Sequence, residues 1–210
     1  MKKTGTAIIL CGGKSSRMGF DKSKYEINGK LLIEICAEKL GSVFEEVLLV
    51  TKDPAKFKGL RYKIIGDNAD DYAPVLGIYK GLLEAESHFS FIIACDMPVI
   101  SLNYINYLTE KLEKSSFPPD GLISMNGSFI EPFHSFYSKN MLEKIKHNIN
   151  KKDYKITNCI NMCNVEYIDT GTIKKYAGSA DIFTNLNYPC DLEIFSGTFI
   201  KELCPNDKKY

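Results

Sequence analysis

The chain has no marked charge bias, no long apolar run and no balanced set of cysteines, and each absence removes a class of function. Its 27 Lys and Arg stand against 26 Asp and Glu, a net charge of +1. No global field therefore recruits nucleic acid or an anionic membrane, so any anion site must be local. No stretch approaches the roughly 20 apolar residues of a membrane span. The N-terminal apolar stretch, Ala7 to Cys11, is too short for a secretory signal and reads as a first strand. The seven cysteines (Cys11, Cys36, Cys95, Cys159, Cys163, Cys190 and Cys204) are odd in number and scattered, which suits free thiols in a reducing, cytoplasmic setting. Cys159 and Cys163 share a helical spacing, but no second pair or nearby His completes a tetrahedral metal site, so both are expected to pack. Neither a Ser/His/Asp nor a Cys/His arrangement is evident. His134 alternates with aromatics and is expected half-buried or on a strand edge rather than acting as a base, and His88 and His147 look incidental.

What is present is an alternation of short apolar runs with amphipathic stretches. That pattern predicts one α/β domain over residues 1–210, a Rossmann-like three-layer arrangement around a mostly parallel sheet. Strands are expected at 7–11, 47–51, 62–65, 89–95, 121–125, 129–137 and 165–168. Asn28-Gly29 and Asn126-Gly127 are turn signals. Helices are expected after Gly29, over 76–86 with Leu76, Tyr79 and Leu83 on one stripe, after an N-cap at Ser101, and over 139–148. The last third is less regular: 171–180 reads as loop or weak helix, and a final helix is expected near Pro189.

Three features fall at the carboxyl ends of expected strands, the edge where open α/β sheets bind ligands. The first is Leu10-Cys11-Gly12-Gly13-Lys14-Ser15-Ser16-Arg17-Met18-Gly19-Phe20-Asp21-Lys22. Glycines after a buried strand let backbone N–H groups approach a phosphate, and Lys14, Arg17 and Lys22 add cationic donors. The loop matches neither the P-loop nor Gly-x-Gly-x-x-Gly. The second is Asp96 in Cys95-Asp96-Met97-Pro98, placed either to hold Mg²⁺ or to form a turn. The third is Asp67, ahead of Pro74-Val75-Leu76-Gly77, where Asp-Asn and Pro taken alone read first as ordinary loop residues. Near the C-terminus, Asn185-Leu186-Asn187-Tyr188-Pro189-Cys190-Asp191-Leu192 reads as a loop and helix start.

In combination these segments resemble the molybdenum cofactor guanylyltransferases, part of the larger nucleotide-diphospho-sugar transferase-like fold group. The family pattern Leu-x-Gly-Gly-x-x-x-Arg-Met-Gly-x-Asp-Lys is matched from Leu10 to Lys22, and its Cys-Asp-x-Pro element by Cys95 to Pro98. Its Gly-Pro-Leu-x-Gly segment is similar to Ala73 to Gly77, with Ala73 for Gly and Val75 for Leu. Its Asn-x-Asn-Thr-Pro-Glu-Asp-Leu ending is similar to Asn185 to Leu192, with Tyr188 for Thr and Cys190 for Glu.

The resemblance implies an enzyme that transfers GMP from GTP to molybdopterin and releases pyrophosphate. Leu10, Cys11, Gly12 and Gly13 would meet GTP through backbone, Lys22 would meet its phosphates, and Asp67 would lie in the nucleotide site. Asp96 would bind Mg²⁺, or Mn²⁺ in its place, and Asn185 and Asn187 would face molybdopterin. Arg17 and Lys22 would stabilise the leaving pyrophosphate. The implied protein contacts are cofactor-delivery proteins or acceptor molybdoenzymes, with no nucleic acid and no membrane. Two other readings stand beside this one: the same chemistry with CTP or with a sugar or lipid phosphate acceptor, and a non-catalytic nucleotide-binding cofactor carrier.

Overall fold

The computed structural model describes residues 3–12, 26–27, 29–67 and 71–186. Four short apolar runs form the parallel part of the sheet: β1 (Thr4–Leu10), β4 (Glu46–Thr51), β5 (Lys63–Gly66) and β6 (Phe89–Ala94). A small hairpin of β2 (Glu26–Ile27) and β3 (Lys30–Leu31) turns at Gly29, whose φ of 76° suits glycine. The sheet is completed by β7 (Gly121–Asn126), β8 (Phe129–Ser138) and β9 (Val165–Ile168). Its seven strands run in the order β5-β4-β1-β6-β8-β7-β9, and β8 alone runs antiparallel to its neighbours.

Strand side chains alternate between two layers, as a period of two requires. Ala7 and Ile9 of β1 pack with Val47, Leu49 and Phe91 under α1 (Leu32–Leu40), α3 (Leu102–Lys114) and α6 (Thr170–Ala177). Ile8 and Leu10 pack with Leu48, Val50 and Ile92 under α2 (Pro74–Glu84), α4 (Leu142–Asn150) and α5 (Ile156–Asn161). The result is the expected three-layer sandwich around a mostly parallel sheet.

Helix ends follow local chemistry. The Ser101 hydroxyl caps α3 by accepting from the Tyr104 amide, and Tyr104, Ile105, Leu108 and Leu112 form its buried face. The Asp169 side chain accepts from the Thr172 amide at the start of α6, which stops at Gly178 with φ 84°. This is a regular helix where the sequence suggested loop or weak helix. Ile173 is its one buried residue, so it carries little periodic signal.

The stripe expected on α2 is shifted. Leu76 is buried, but Leu83 is exposed and Tyr79 only half-buried, while Val75, Ile78 and Leu82 fill the inward face. The glycines explain the shift. A Cβ on Gly81 would sit 2.8 Å from Ile8 Cγ2, and one on Gly77 would sit 3.2 Å from Leu10 Cδ2. Gly77 and Gly81 therefore belong to the contact face, letting α2 lie close on β1 and turning Leu83 outward.

Cys159 is buried in the core, where its sulfur accepts a hydrogen bond from Asn148 Nδ2, and the Cys163 thiol donates to the Cys159 carbonyl. Both are packing residues. No helix among the described residues is long and apolar enough to cross a membrane.

Candidate functional site

In the strand order β5-β4-β1-β6, the chain builds outward from β1 to β5 and then returns to the other side of β1 with β6. The carboxyl ends of β1 and β6 thus diverge at a switch point, where open α/β sheets leave a crevice. A cavity of about 300 Å³ opens beside it. Leu10 and Gly12 line it from the end of β1, Thr51 and Lys52 from β4, Asp67 from just after β5, and Gly77 from α2. Its inner walls are mostly aliphatic, with Val50, Ala73, Pro74 and Ala94 completing them and Phe133 approaching from β8.

The end of β1 divides its labour between backbone and side chains. The Cys11 amide donates to the Val50 carbonyl, and the Leu10 carbonyl accepts from the Cys95 amide. Cys11 turns its thiol into the opposite layer, towards Cys95 and Cys36, so it offers the cavity backbone and not sulfur. Burial pushes the Cys11 thiol well above its ordinary value and the Cys36 thiol to about 12, so both stay protonated and unreactive at neutral pH. A Cβ on Gly12 would meet nothing within 4 Å among the described residues.

Polar character concentrates at one end of the cavity. Asp67 is 7% exposed, and its amide donates to the Thr51 carbonyl. Its carboxylate lies 4.0 Å from Lys52 Nζ. The same ammonium sits 4.4 Å from the centroid of the Tyr72 ring, a cation–π distance. A charge pair at such a separation is worth on the order of 4 kcal/mol gross at an effective dielectric near 20, and desolvation of both ions offsets much of it. The pair is therefore a modest stabilising device, and its place on a cavity wall suits recognition better.

Asp96 is half-buried on the turn after β6, where the Met97 amide donates to the Ala94 carbonyl. The Asp96 carbonyl accepts from the Leu186 amide at 2.8 Å, which brings half-buried Asn185 to the same strand end. Leu10, Cys11, Gly12, Asp67, Asp96 and Asn185 thus gather along one edge of the sheet. Gly13, Lys14, Arg17, Lys22, Asn187 and the helix expected near Pro189 lie outside the described residues. Among the described residues no group of three or more His, Cys, Asp or Glu side chains is placed to hold a metal ion. A single carboxylate nevertheless fits Mg²⁺, which commonly takes one or two protein oxygens and completes its shell with waters and substrate phosphates.

Lys52, Thr51, Tyr72 and Phe133 were not singled out by the sequence. Lys52 carried one usable signal, a cation immediately after a buried strand. His134 departs from its expected half-buried place. It is 1% exposed with a φ of 52°, and desolvation lowers its pKa to about 3. It sits at an irregular stretch of β8 that tips the ring into the core instead of out of the sheet.

A doubly wound sheet with a glycine-flanked strand end, a half-apolar cavity and acidic groups at neighbouring strand ends defines a nucleotide-binding α/β class. Comparison with known proteins narrows it. The model of the MobA-like NTP transferase domain matches residues 7–161. The chain is 38% identical over 210 residues to a probable molybdenum cofactor guanylyltransferase of Peptoclostridium acidaminophilum, covering 99% of this chain and 95% of the relative. It is 32% identical over 191 residues to the molybdenum cofactor guanylyltransferase of Syntrophotalea carbinolica, covering 91% and 90%. The structure of molybdopterin-guanine dinucleotide biosynthesis protein A from Archaeoglobus fulgidus shares the fold, with a TM-score of 0.79 at 24% identity over 93% of this chain and 99% of that one. A protein of Aquifex aeolicus aligns with a TM-score of 0.69 at 31% identity, over 89% and 95%. The chain belongs to the MobA-like NTP transferase family.

Proposed function

We propose that this chain transfers GMP from GTP to molybdopterin, forming the guanine dinucleotide cofactor and releasing pyrophosphate. The observation that carries the reading is the cavity beside the switch point, apolar along its walls and charged at one end by Asp67 and Lys52. Guanine is the base that offers two adjacent N–H donors, N1 and N2, beside an acceptor, O6. Asp67 accepts the two donors with its two carboxylate oxygens, and Lys52 donates to O6. The flat faces of the base lie against the aliphatic walls.

With the base held there, Gly12 and the segment following it meet the phosphates through backbone N–H groups. Lys22 and Arg17 take up the charge that builds on the leaving pyrophosphate. Asp96 would hold a magnesium ion, which when bound would supply positive charge to neutralise phosphate oxygens during attack at the α-phosphate. The terminal phosphate of molybdopterin is the nucleophile. It is already anionic, so no side chain has to remove a proton, and the reaction rests on positioning and electrostatics. The P–O bond to the α-phosphate forms as the bond to the β-phosphate bridging oxygen breaks. Asn185, one residue from the bond that Leu186 makes to Asp96, contacts the pterin, together with Asn187.

Incubation with GTP, Mg²⁺ and molybdopterin, followed by mass analysis, tests this directly. The expected products are the guanine dinucleotide and one pyrophosphate per turnover. A strong preference for CTP in a nucleotide panel would overturn the guanylyl assignment, and nucleotide binding without pyrophosphate release would make the chain a carrier.

A further inference from the structure

The connection between α4 and α5 is tied down at both ends, and one side chain leaves it for the nucleotide cavity. The Asp153 amide donates to the Asn148 carbonyl and the Lys152 amide to the Ile149 carbonyl, each at 2.9 Å. This pair of bonds closes a helix on a left-handed residue, here Lys152 with φ 58°. The Asp153 carboxylate then accepts from the Lys155 amide and from Asn158 Nδ2, which fixes the entry to α5. Tyr154 stands between these ends and packs against the core layer under α2, α4 and α5. Its hydroxyl reaches a residue 83 positions away in the chain, donating to Asp71 Oδ2 at 2.6 Å.

The stretch it meets forms part of the cavity. Asp71, Tyr72 and Ala73 lead into α2 outside any helix or strand, and Ala73, the N-cap, gives the helix no side-chain cap. Tyr72 and Ala73 line the cavity. The Tyr72 ring lies 4.4 Å from Lys52 Nζ, and that ammonium lies 4.0 Å from the Asp67 carboxylate. A continuous line of contacts therefore runs from Tyr154 through Asp71, Tyr72 and Lys52 to Asp67. Its first link is a hydrogen bond to a carboxylate, a stronger kind than one between neutral groups. The same bond raises the Tyr154 pKa above its ordinary value, so the hydroxyl keeps its proton at neutral pH.

We propose that Tyr154 is a positioning residue for the base site: through Asp71 it fixes Tyr72 beside Lys52, so that the polar end of the cavity is ordered before nucleotide arrives. The proposal rests on this cavity holding the base, as in the preceding section. Preorganisation of the base site acts on binding, while the reaction takes place at the phosphates. The effect therefore falls on nucleotide affinity and spares kcat.

The test compares Y154F, D71A and D71N with the parent chain. The first readout is the Tyr72 resonance in protein labelled with carbon-13 at the tyrosine Cζ, identified with Y72F and recorded without nucleotide or metal. It should shift in Y154F and D71A, and D71N, which keeps an acceptor oxygen, should stay nearer the parent. The second readout is calorimetric titration with GTP and Mg²⁺. Kd should rise about threefold to tenfold in Y154F and in D71A, and Y154F should add nothing in the D71A background. At saturating GTP, kcat should stay within about twofold of the parent. An unmoved Tyr72 resonance, an unchanged Kd, a full Y154F effect in D71A, or a loss of kcat in place of affinity would overturn the proposal. If the parent binds CTP instead of GTP, the same Kd comparison made with CTP tests the positioning role, and only the guanylyl reading fails. Asp71 lies on the surface, so D71A carries both measurements if Y154F does not fold.

Discussion

Gly81 of α2 lies so close to Ile8 of β1 that a Cβ there would come within 2.8 Å of Ile8 Cγ2 and 2.9 Å of Cδ1. Ile8 is fully buried between two strands, so its branched methyl has nowhere to retreat. The contact sets the height of α2 above the sheet, and the same helix carries Pro74 and Gly77 into the cavity wall. G81A should therefore be destabilising by about 1–3 kcal/mol from overpacking, less about 1 kcal/mol regained from helix propensity. Thermal unfolding checks the first part. A nucleotide titration checks the second, since lifting α2 should weaken nucleotide binding several-fold even in the folded fraction. A variant as stable as the parent would show that the helix can shift without strain.

Lys52 and Asp67 make separable predictions about the base. A hydrogen bond to a charged group contributes about 1.5–3 kcal/mol, so K52M should raise the KM for GTP roughly tenfold to a hundredfold. The parent enzyme should disfavour 6-thioguanosine triphosphate, which keeps N1–H and N2 but replaces O6 with a weakly accepting sulfur, and K52M should no longer distinguish it from GTP. Discrimination against ITP, which lacks the N2 amino group, should survive K52M and disappear in D67A. If K52M still favours GTP over the 6-thio analogue, the lysine does not read that oxygen.

The sheet was legible because strand burial writes itself into apolar runs. Val47 to Val50 and Phe89 to Ala94 are continuous or nearly so, and the Asn126-Gly127 turn has the φ of 62° at Gly127 that this dipeptide favours. Helix α5 left little trace, because only Cys159 and Ile160 are buried over a six-residue element. At the site, Asp67 and Asp96 were found as acids at strand ends, where the fold rule directs attention. Tyr72 and Phe133 were not, since aromatic residues in loops are too common to mark a cavity until the chain closes on itself. His134 was misjudged for a related reason. Alternation assigns its side chain by counting along β8, and three surplus residues break the count.

Asp96 and Lys22 are the two residues on which turnover should depend most. Loss of a donor or charge that acts mainly in the transition state costs about 10²–10³ in rate, so Lys22→Ala and Asp96→Ala should each lose that much in kcat. For K22A the KM for GTP should change less than kcat, because the charge it meets builds during pyrophosphate departure. Asp96→Ala should also steepen the Mg²⁺ dependence of the residual rate. Steady-state kinetics across a Mg²⁺ series separates the two. Near-normal turnover in both variants would rule out the proposed electrostatics.

His134 also makes acid stability measurable. Desolvation holds its folded pKa near 3, whereas in the unfolded chain the ring takes its proton near the ordinary 6.5. Between those values the unfolded state binds one more proton than the native state, so stability falls as pH falls, by about 1.4 kcal/mol per pH unit. Above pH 6.5 the residue contributes nothing to the slope. His88, also lowered by partial burial, acts in the same direction, while Glu131, raised by burial, acts against it. The comparison that isolates His134 is the parent against H134F in urea at pH 7.0, 6.0 and 5.0. The parent should lose about 2 kcal/mol more than H134F on going from pH 7.0 to 5.0. Parallel slopes would mean that the imidazole is protonated inside the core, with a partner for its second nitrogen supplied on acidification.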